Sequence, residues 1–274
     1  MTPGAHVAAK IEVLDAILLG VAAEKALTNW GRSNRFAGSK DRANIRDLVF
    51  QAIRCRRSAG AWPDASSARA WAIGALRANE VDPVQLFTGV GHSPTKLRAN
   101  ELTTQPILEL DAWDIQDWMA HELKMFYGDT KAREMAQVLR HRAPISLRAN
   151  LQKTSLAELQ SALARADIVT SVNPICKTAL TVHSNQRRVV LQEAFAKGWF
   201  ELQDAASQAV AAAIPIEGRV LDYCAGGGGK ALALAGRSGA KIFAHDVNLA
   251  RMTDISTRAV RGGHDIEVIL PSAL

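Results

Sequence analysis

No apolar stretch of this 274-residue chain is long enough to cross a bilayer. The longest early run, Ala16 to Ala23, contains Gly20 and falls far short of the roughly 20 residues that a spanning helix needs. The segment Met1 to His6 lacks the basic start of a signal peptide. Cysteine is scarce: three residues, an odd number, which excludes a disulfide-stapled scaffold and fits a reducing compartment. No metal site is nominated. Charge of one sign does not dominate either. The 33 Lys and Arg exceed the 27 Asp and Glu by enough for a net charge of +6, which favours an anionic partner without demanding one. A soluble, cytoplasmic protein is expected, with no membrane contact.

What is present is a chain 48% hydrophobic, long enough for about two domains. The part up to about residue 140 reads as helical. Ile11, Leu14, Ile17, Leu18, Val21 and Ala22 recur at helical spacing, as do Ile45, Leu48, Val49, Ala52 and Ile53. Asp41 is expected to cap the second of these helices. On it, Arg46, Arg54 and Arg57 project to one side, opposite the apolar residues. Between Thr28 and Gly60 there are eight Lys or Arg and two Asp or Glu. That excess reads either as a solvated helix face or as a phosphate-contacting surface.

From about 141 to 214 the pattern is mixed. Pro144 to Leu151 reads as a strand. Thr154 and Ser155 followed by Glu158 predict a capped helix running through Ala166. Short apolar pieces follow at 168–172 and 179–182, then the pair Arg187 and Arg188. Gln208 to Ile214 reads as a helix, with Pro215 and Gly218 marking a boundary. Beyond it strands at 219–223, 241–244 and 266–270 alternate with helices, which predicts a parallel α/β sheet.

The densest signal lies at the first of those strands. Val220, Leu221 and Asp222 lead into Tyr223, Cys224 and Ala225. Four glycines, Gly226 to Gly229, and Lys230 follow. A buried strand, a tight glycine loop and a helix N-terminus make a cradle for a nucleotide-like cofactor. A phosphate-binding P-loop does not fit, because Cys224 stands where its first glycine belongs and Ala231 follows the lysine. A dinucleotide fingerprint is met by Gly226, Gly228 and Ala231, with Asp246 after the next strand. An S-adenosylmethionine site is met equally well: Asp222 suits the amino group of the methionine part, and Asp246 suits a ribose diol. A glycine turn without a ligand is the remaining alternative.

A family resemblance bears on that choice. Asp222, Cys224, Ala225, Gly228, Gly229 and Lys230 resemble the D-x-C-A-A-P-G-G-K signature of the Sun-type RNA cytosine-5 methyltransferases. Gly198 to Gln208 resembles that family's G-x-F-x-x-Q-D-x-A-S-Q segment, and Leu147-Arg148-Ala149-Asn150 its L-R-V-N. Asp246 with Arg251, then Arg261-Gly262-Gly263, resembles its D-x-x-x-x-R and R-x-G. The departures are Gly226-Gly227 for Ala-Pro and Ala231 for Thr. Residues 40–54 resemble the NusB-like RNA-binding domain that bacterial members of the family carry.

The resemblance implies a helical NusB-like domain at 1–140, a small mixed α/β RNA-facing subdomain at 141–214, and the first half of a Rossmann-like sheet at 215–274. It implies S-adenosylmethionine held by Asp222, Cys224, Ala225, Gly226, Gly227, Gly228, Gly229, Lys230, Asp246 and Arg251. It implies ribosomal RNA as the partner, with Arg46, Arg54, Arg57, Arg148, Arg187 and Arg188 as contacts. The family's chemistry adds a cysteine thiolate to cytosine C6, from a Pro-Cys loop and a Thr-Cys loop. Neither dipeptide occurs here, so Cys55, Cys176 and Cys224 are expected to be small packing residues and none is nominated as catalytic. A fragment or truncated product is therefore expected, inactive in transfer on its own, with an open sheet edge that invites pairing with another chain. A non-catalytic RNA-binding protein with a decayed cofactor fold is the alternative reading. A nicotinamide oxidoreductase is a more distant one.

Overall fold

Gly20, at φ 89°, ends the first helix where the apolar periodicity alone would have carried it on. In the computed structural model, which describes residues 1–60, 67–103, 107–237 and 240–270, α1 spans Pro3–Leu18. Val21 and Ala22, expected on that helix, lie beyond it. Thr2 caps its start, accepting from the Ala5 N–H at 3.2 Å. The chain divides into two compact units, Met1–Ala143 and Pro144–Leu274.

The first unit is helical. After α1 come α2 (Ala23–Ser33), α3 (Ser39–Arg54), α4 (Arg56–Gly60), α5 (Ala68–Arg77), α6 (Ala99–Leu102) and α7 (Asp117–Leu139). Their core gathers Val13, Leu14, Ile45, Val49, Ala52 and Trp71. Asp41 does not cap α3 as expected. Gly38 occupies that position, and Asp41, three residues on, accepts from the Gly38 N–H and from His6 Nε2. The basic side of α3 also ends early, because Cys55 closes the helix and Arg57 belongs to α4. Gly128 breaks α7 with φ 75° and ψ 163°.

The second unit holds two sheets. The first is antiparallel, in the order β2-β3-β1-β4, from β1 (Ile145–Ala149), β2 (Thr170–Val172), β3 (Ala179–Val182) and β4 (Phe200–Leu202). Leu147 lies opposite Leu180 on one side and Leu202 on the other. α8 (Leu156–Ala164) covers the sheet with Leu159 and Leu163. Ser155 and Glu158 form the expected reciprocal cap. α9 (Glu193–Ala196) precedes β4. α10 (Ala205–Ala213) leads to the second sheet, which is parallel and ordered β5-β6-β7: β5 (Gly218–Asp222), β6 (Ala240–His245) and β7 (Ile266–Ile269). Between these strands run α11 (Gly229–Ala235) and α12 (Ile255–Gly262), which pack Ala231, Leu234 and Ile255 on Ile242 and Ala244. Among the described residues, β5 is bonded on one side only, to β6.

Candidate functional site

The parallel register of β5 and β6 sets Asp222 beside Ala244, so both strands end at one level. Asp246 follows two residues later. The loop from Tyr223 to Gly228 turns back over this edge. The Ala225 N–H donates to the His245 carbonyl at 2.8 Å, and the Gly226 N–H to Asp246 Oδ2 at 2.9 Å. The turn closes through Gly228 N–H to the Ala225 carbonyl at 2.8 Å.

The glycines are needed at two of the four positions. Gly226 (φ 51°) and Gly228 (φ 79°) are left-handed, a conformation that costs other residues free energy. A Cβ on Gly228 would sit 2.8 Å from Ile255 Cγ1. One on Gly226 would sit 2.9 Å from an Arg251 guanidinium nitrogen.

Two carboxylates flank the loop. Asp246 is buried, with 2% of its surface exposed, and both oxygens are engaged. Oδ1 accepts from the Asn248 N–H at 2.9 Å, Oδ2 from Gly226, and Arg251 Nη1 lies 3.4 Å from Oδ2. The Asn248 N–H, with those of Gly226 and the Arg251 charge, holds this carboxyl below the usual carboxylate range. Oδ1 keeps a lone pair for a hydroxyl, while Oδ2 is met by both Gly226 and Arg251, so a diol reaches it only by displacing the arginine. Asp222 is half-buried, and burial pushes its carboxyl up, against the Ala231 N–H and the Lys230 charge. Cys224, Gly227 and Lys230 are exposed, while Ala225 and Gly229 are half-buried. The ten residues expected at the cofactor therefore converge on one loop and one strand end. They suit a ligand with an amino group and a diol, because the acids face a loop whose glycines leave no Cβ in the way.

The expected RNA-contact residues divide between the units, Arg46, Arg54 and Arg57 in the first and Arg148, Arg187 and Arg188 in the second. Arg148 is a correction: it is buried on β1, with Nη1 donating to Gln203 Oε1 and, at 2.8 Å, to the Gly229 carbonyl. Burial pulls this guanidinium down to about 10, still charged at neutral pH. It holds the loop and does not face solvent. Arg54 donates to the Arg140 carbonyl at 3.1 Å. Arg57 pairs with Asp111 at 3.0 Å and Asp117 at 2.7 Å. Arg46 pairs with Glu24 at the surface. Arg187 and Arg188 are exposed on the 3-10 turn Gln186–Leu191. The cysteines are scattered. Cys55 is buried in the helical core, where burial pushes its thiol up, Cys176 touches Thr178, and Cys224 is exposed.

Residues that the sequence reading quoted only as a motif have specific work here. Gln203 Nε2 donates to the Gly229 carbonyl at 3.1 Å. Asp204 caps α10, and buried Gln208 donates to the Gln203 carbonyl. Asn150 Nδ2 donates to the carbonyls of Gly198 and Gly262. Glu201 lies inside the Gly198–Gln208 segment at an unspecified position of the motif, and Arg258 belongs to no motif. Glu201 is buried on β4 and pairs with Arg258 and Arg261, and nothing in the spacing around Arg258 marks it out.

Comparison with known proteins shows what the chain is similar to. Residues 116–188 match the family model of the Methyltr_RsmF/B-like ferredoxin-like domain. A probable ribosomal RNA small subunit methyltransferase B of Synechocystis is 25% identical over 168 residues, 60% of this chain and 38% of that protein. The ribosomal RNA small subunit methyltransferase B of Vibrio cholerae is 35% identical over 115 residues, 41% of this chain and 26% of that protein. The chain thus spans well under half the length of these curated relatives. The crystal structure of PH0851 shares the fold over 98% of this chain and 69% of its own, with a TM-score of 0.65 and 17% identity. A methyltransferase homolog protein from Pyrococcus horikoshii covers 58% of this chain and 52% of its own, with a TM-score of 0.50 and 23% identity. The chain is similar to Sun/RsmB-like ribosomal RNA methyltransferases.

Proposed function

We propose that this chain holds S-adenosylmethionine and contacts ribosomal RNA as part of a methyltransferase acting on cytosine C5. One observation carries the reading: Asp222, the left-handed Gly226 and Gly228, and buried Asp246 meet at the end of two parallel strands, beside a sheet similar to the RsmF/B ferredoxin-like domain. When bound, the cofactor supplies a methyl group on sulfonium. In this reading Asp222 accepts hydrogen bonds from its amino group, and Asp246 accepts from its ribose hydroxyls. Arg251, 62% exposed and paired with Asp246, covers that carboxylate and turns aside for the ligand. Gly226 and Gly228 let the backbone approach closely.

On the RNA side, the exposed Arg187 and Arg188 contact phosphate, and the helical unit acts as a NusB-like domain in the cytoplasm. The attack on C6 needs a thiolate; Cys55 is buried in the helical core, where burial pushes its thiol up, and Cys176 is bonded to the Thr178 hydroxyl. Donor and RNA binding are therefore the activities assigned to these residues.

Calorimetric titration with S-adenosylhomocysteine tests the reading. Saturable one-to-one binding is expected. Asp222→Asn, which keeps the shape and removes the charge, should weaken it about tenfold, the scale of one charged hydrogen bond. Absence of binding, equal affinity in the variant, or saturable binding of NAD in its place would contradict it.

A further inference from the structure

The glycine loop departs from the family pattern where it matters for stiffness: Gly226-Gly227 replaces Ala-Pro, so two of its residues have the widest backbone freedom. Something else has to hold its shape. Three side chains on one side of the segment 251–258 meet the three successive glycines. Arg251 lies against Gly226, Ile255 against Gly228 and Arg258 against Gly227. Ile255 and Arg258, three residues apart on α12, share one face of that helix, and Arg251 reaches the loop from the 3-10 turn Leu249–Arg251 before it.

Arg258 is the one that makes a directed bond. Its Nη1 donates to the Gly227 carbonyl. Its Nε and Nη2 donate to Glu201 Oε2 at 3.2 and 2.9 Å. Glu201 is 8% exposed on β4, opposite Arg148 across the β1–β4 ladder. One guanidinium thus joins a buried carboxylate of the antiparallel sheet to the middle of the loop. A planar fork fixed by two bonds on one side presents the third donor in a set direction, which a lysine cannot do.

We infer that Arg258, oriented by Glu201, is the positioning residue that keeps the glycine loop in its cofactor-ready conformation, replacing the stiffness that the Gly-Gly pair removes. The step from loop order to donor affinity rests on the proposed function; the step from Arg258 to loop order does not.

Hydrogen exchange of the loop amides, measured on the whole chain without any ligand, tests the inference itself. In Arg258→Gln and in Glu201→Gln, exchange at 225–230 should speed up about tenfold or more, the scale of one charged hydrogen bond lost. Arg258→Lys keeps the charge and should behave like Arg258→Gln. Arg261→Gln is the control: Arg261 pairs with the same Glu201 but makes no bond to the loop, so loop exchange should match the parent while the thermal midpoint falls. Equal loop exchange in Arg258→Gln and Arg261→Gln, or full rescue by lysine, would overturn the positioning role. S-adenosylhomocysteine affinity is then read on the same proteins. A parent that does not bind sinks the proposed function and leaves the exchange result standing. A parent that binds, with Arg258→Gln binding equally well, sinks the inference.

Discussion

At the scale of single residues, Lys10 is the most exacting test. It is 1% exposed in the helical core, and among the described residues it donates to the Ala72 carbonyl alone, at 3.3 Å. Burial pulls its ammonium from 10.5 down to about 8, while the neighbouring Cys55 works the other way. A group with its folded value below its unfolded value opposes folding wherever both states are charged. The penalty, about 3 kcal/mol, is complete below pH 8 and relieved as the pH rises towards 10.5. Lys10→Met should therefore stabilise the protein by about 1–3 kcal/mol at pH 7, and the gain should shrink by pH 10. Urea denaturation at both values checks this, with Cys55→Ser in both backgrounds removing the thiol that interacts with Lys10. A destabilised variant, or a gain that persists at pH 10, would contradict the account.

At the scale of elements, the strands of the parallel sheet and the Ser155 cap were legible because each is local. β5, β6 and β7 fall within one or two residues of their apolar runs. β4 was not legible: three residues show no period, and its pairing with β1 joins positions more than fifty apart. The Gly20 break, the true start of α3 and the Gly128 break were missed for a related reason, since periodicity does not report where a backbone turns left-handed. Arg148 shows the limit most plainly. The family resemblance implies an RNA contact, and only the fold reveals that its acceptors are Gln203 and the Gly229 carbonyl. The turn before β4 offers a sharp prediction. Gly198 has φ 71°, and a Cβ there would lie 1.9 Å from the Arg261 carbonyl oxygen. Gly198→Ala should cost about 3 kcal/mol or more, through strain and the displaced α12. Chemical denaturation measures it, and a loss under about 1 kcal/mol would mean that the turn is wrongly described.

At the scale of the whole molecule, the sequence reads as three parts, 1–140, 141–214 and 215–274, whereas the chain forms two compact units, Met1–Ala143 and Pro144–Leu274, the second holding both sheets. The residues proposed for the cofactor are close in sequence, a glycine loop and two acids at strand ends. The braces are not, since Glu201 and Arg258 lie outside the loop and reach it only through folding. A cavity of about 380 Å³ is lined by Arg148 and Gln208, from two of the quoted motifs, together with Cys176 and His264, which no motif announces. It offers a rival location for a small ligand, so the central claim is about place. Amide shift mapping by NMR with S-adenosylhomocysteine decides it most directly. The account predicts perturbed amides at 223–230 and 246–251. Shifts confined to 175–178 and 208–212, or perturbation of the loop by inorganic phosphate and not by the nucleoside, would contradict it.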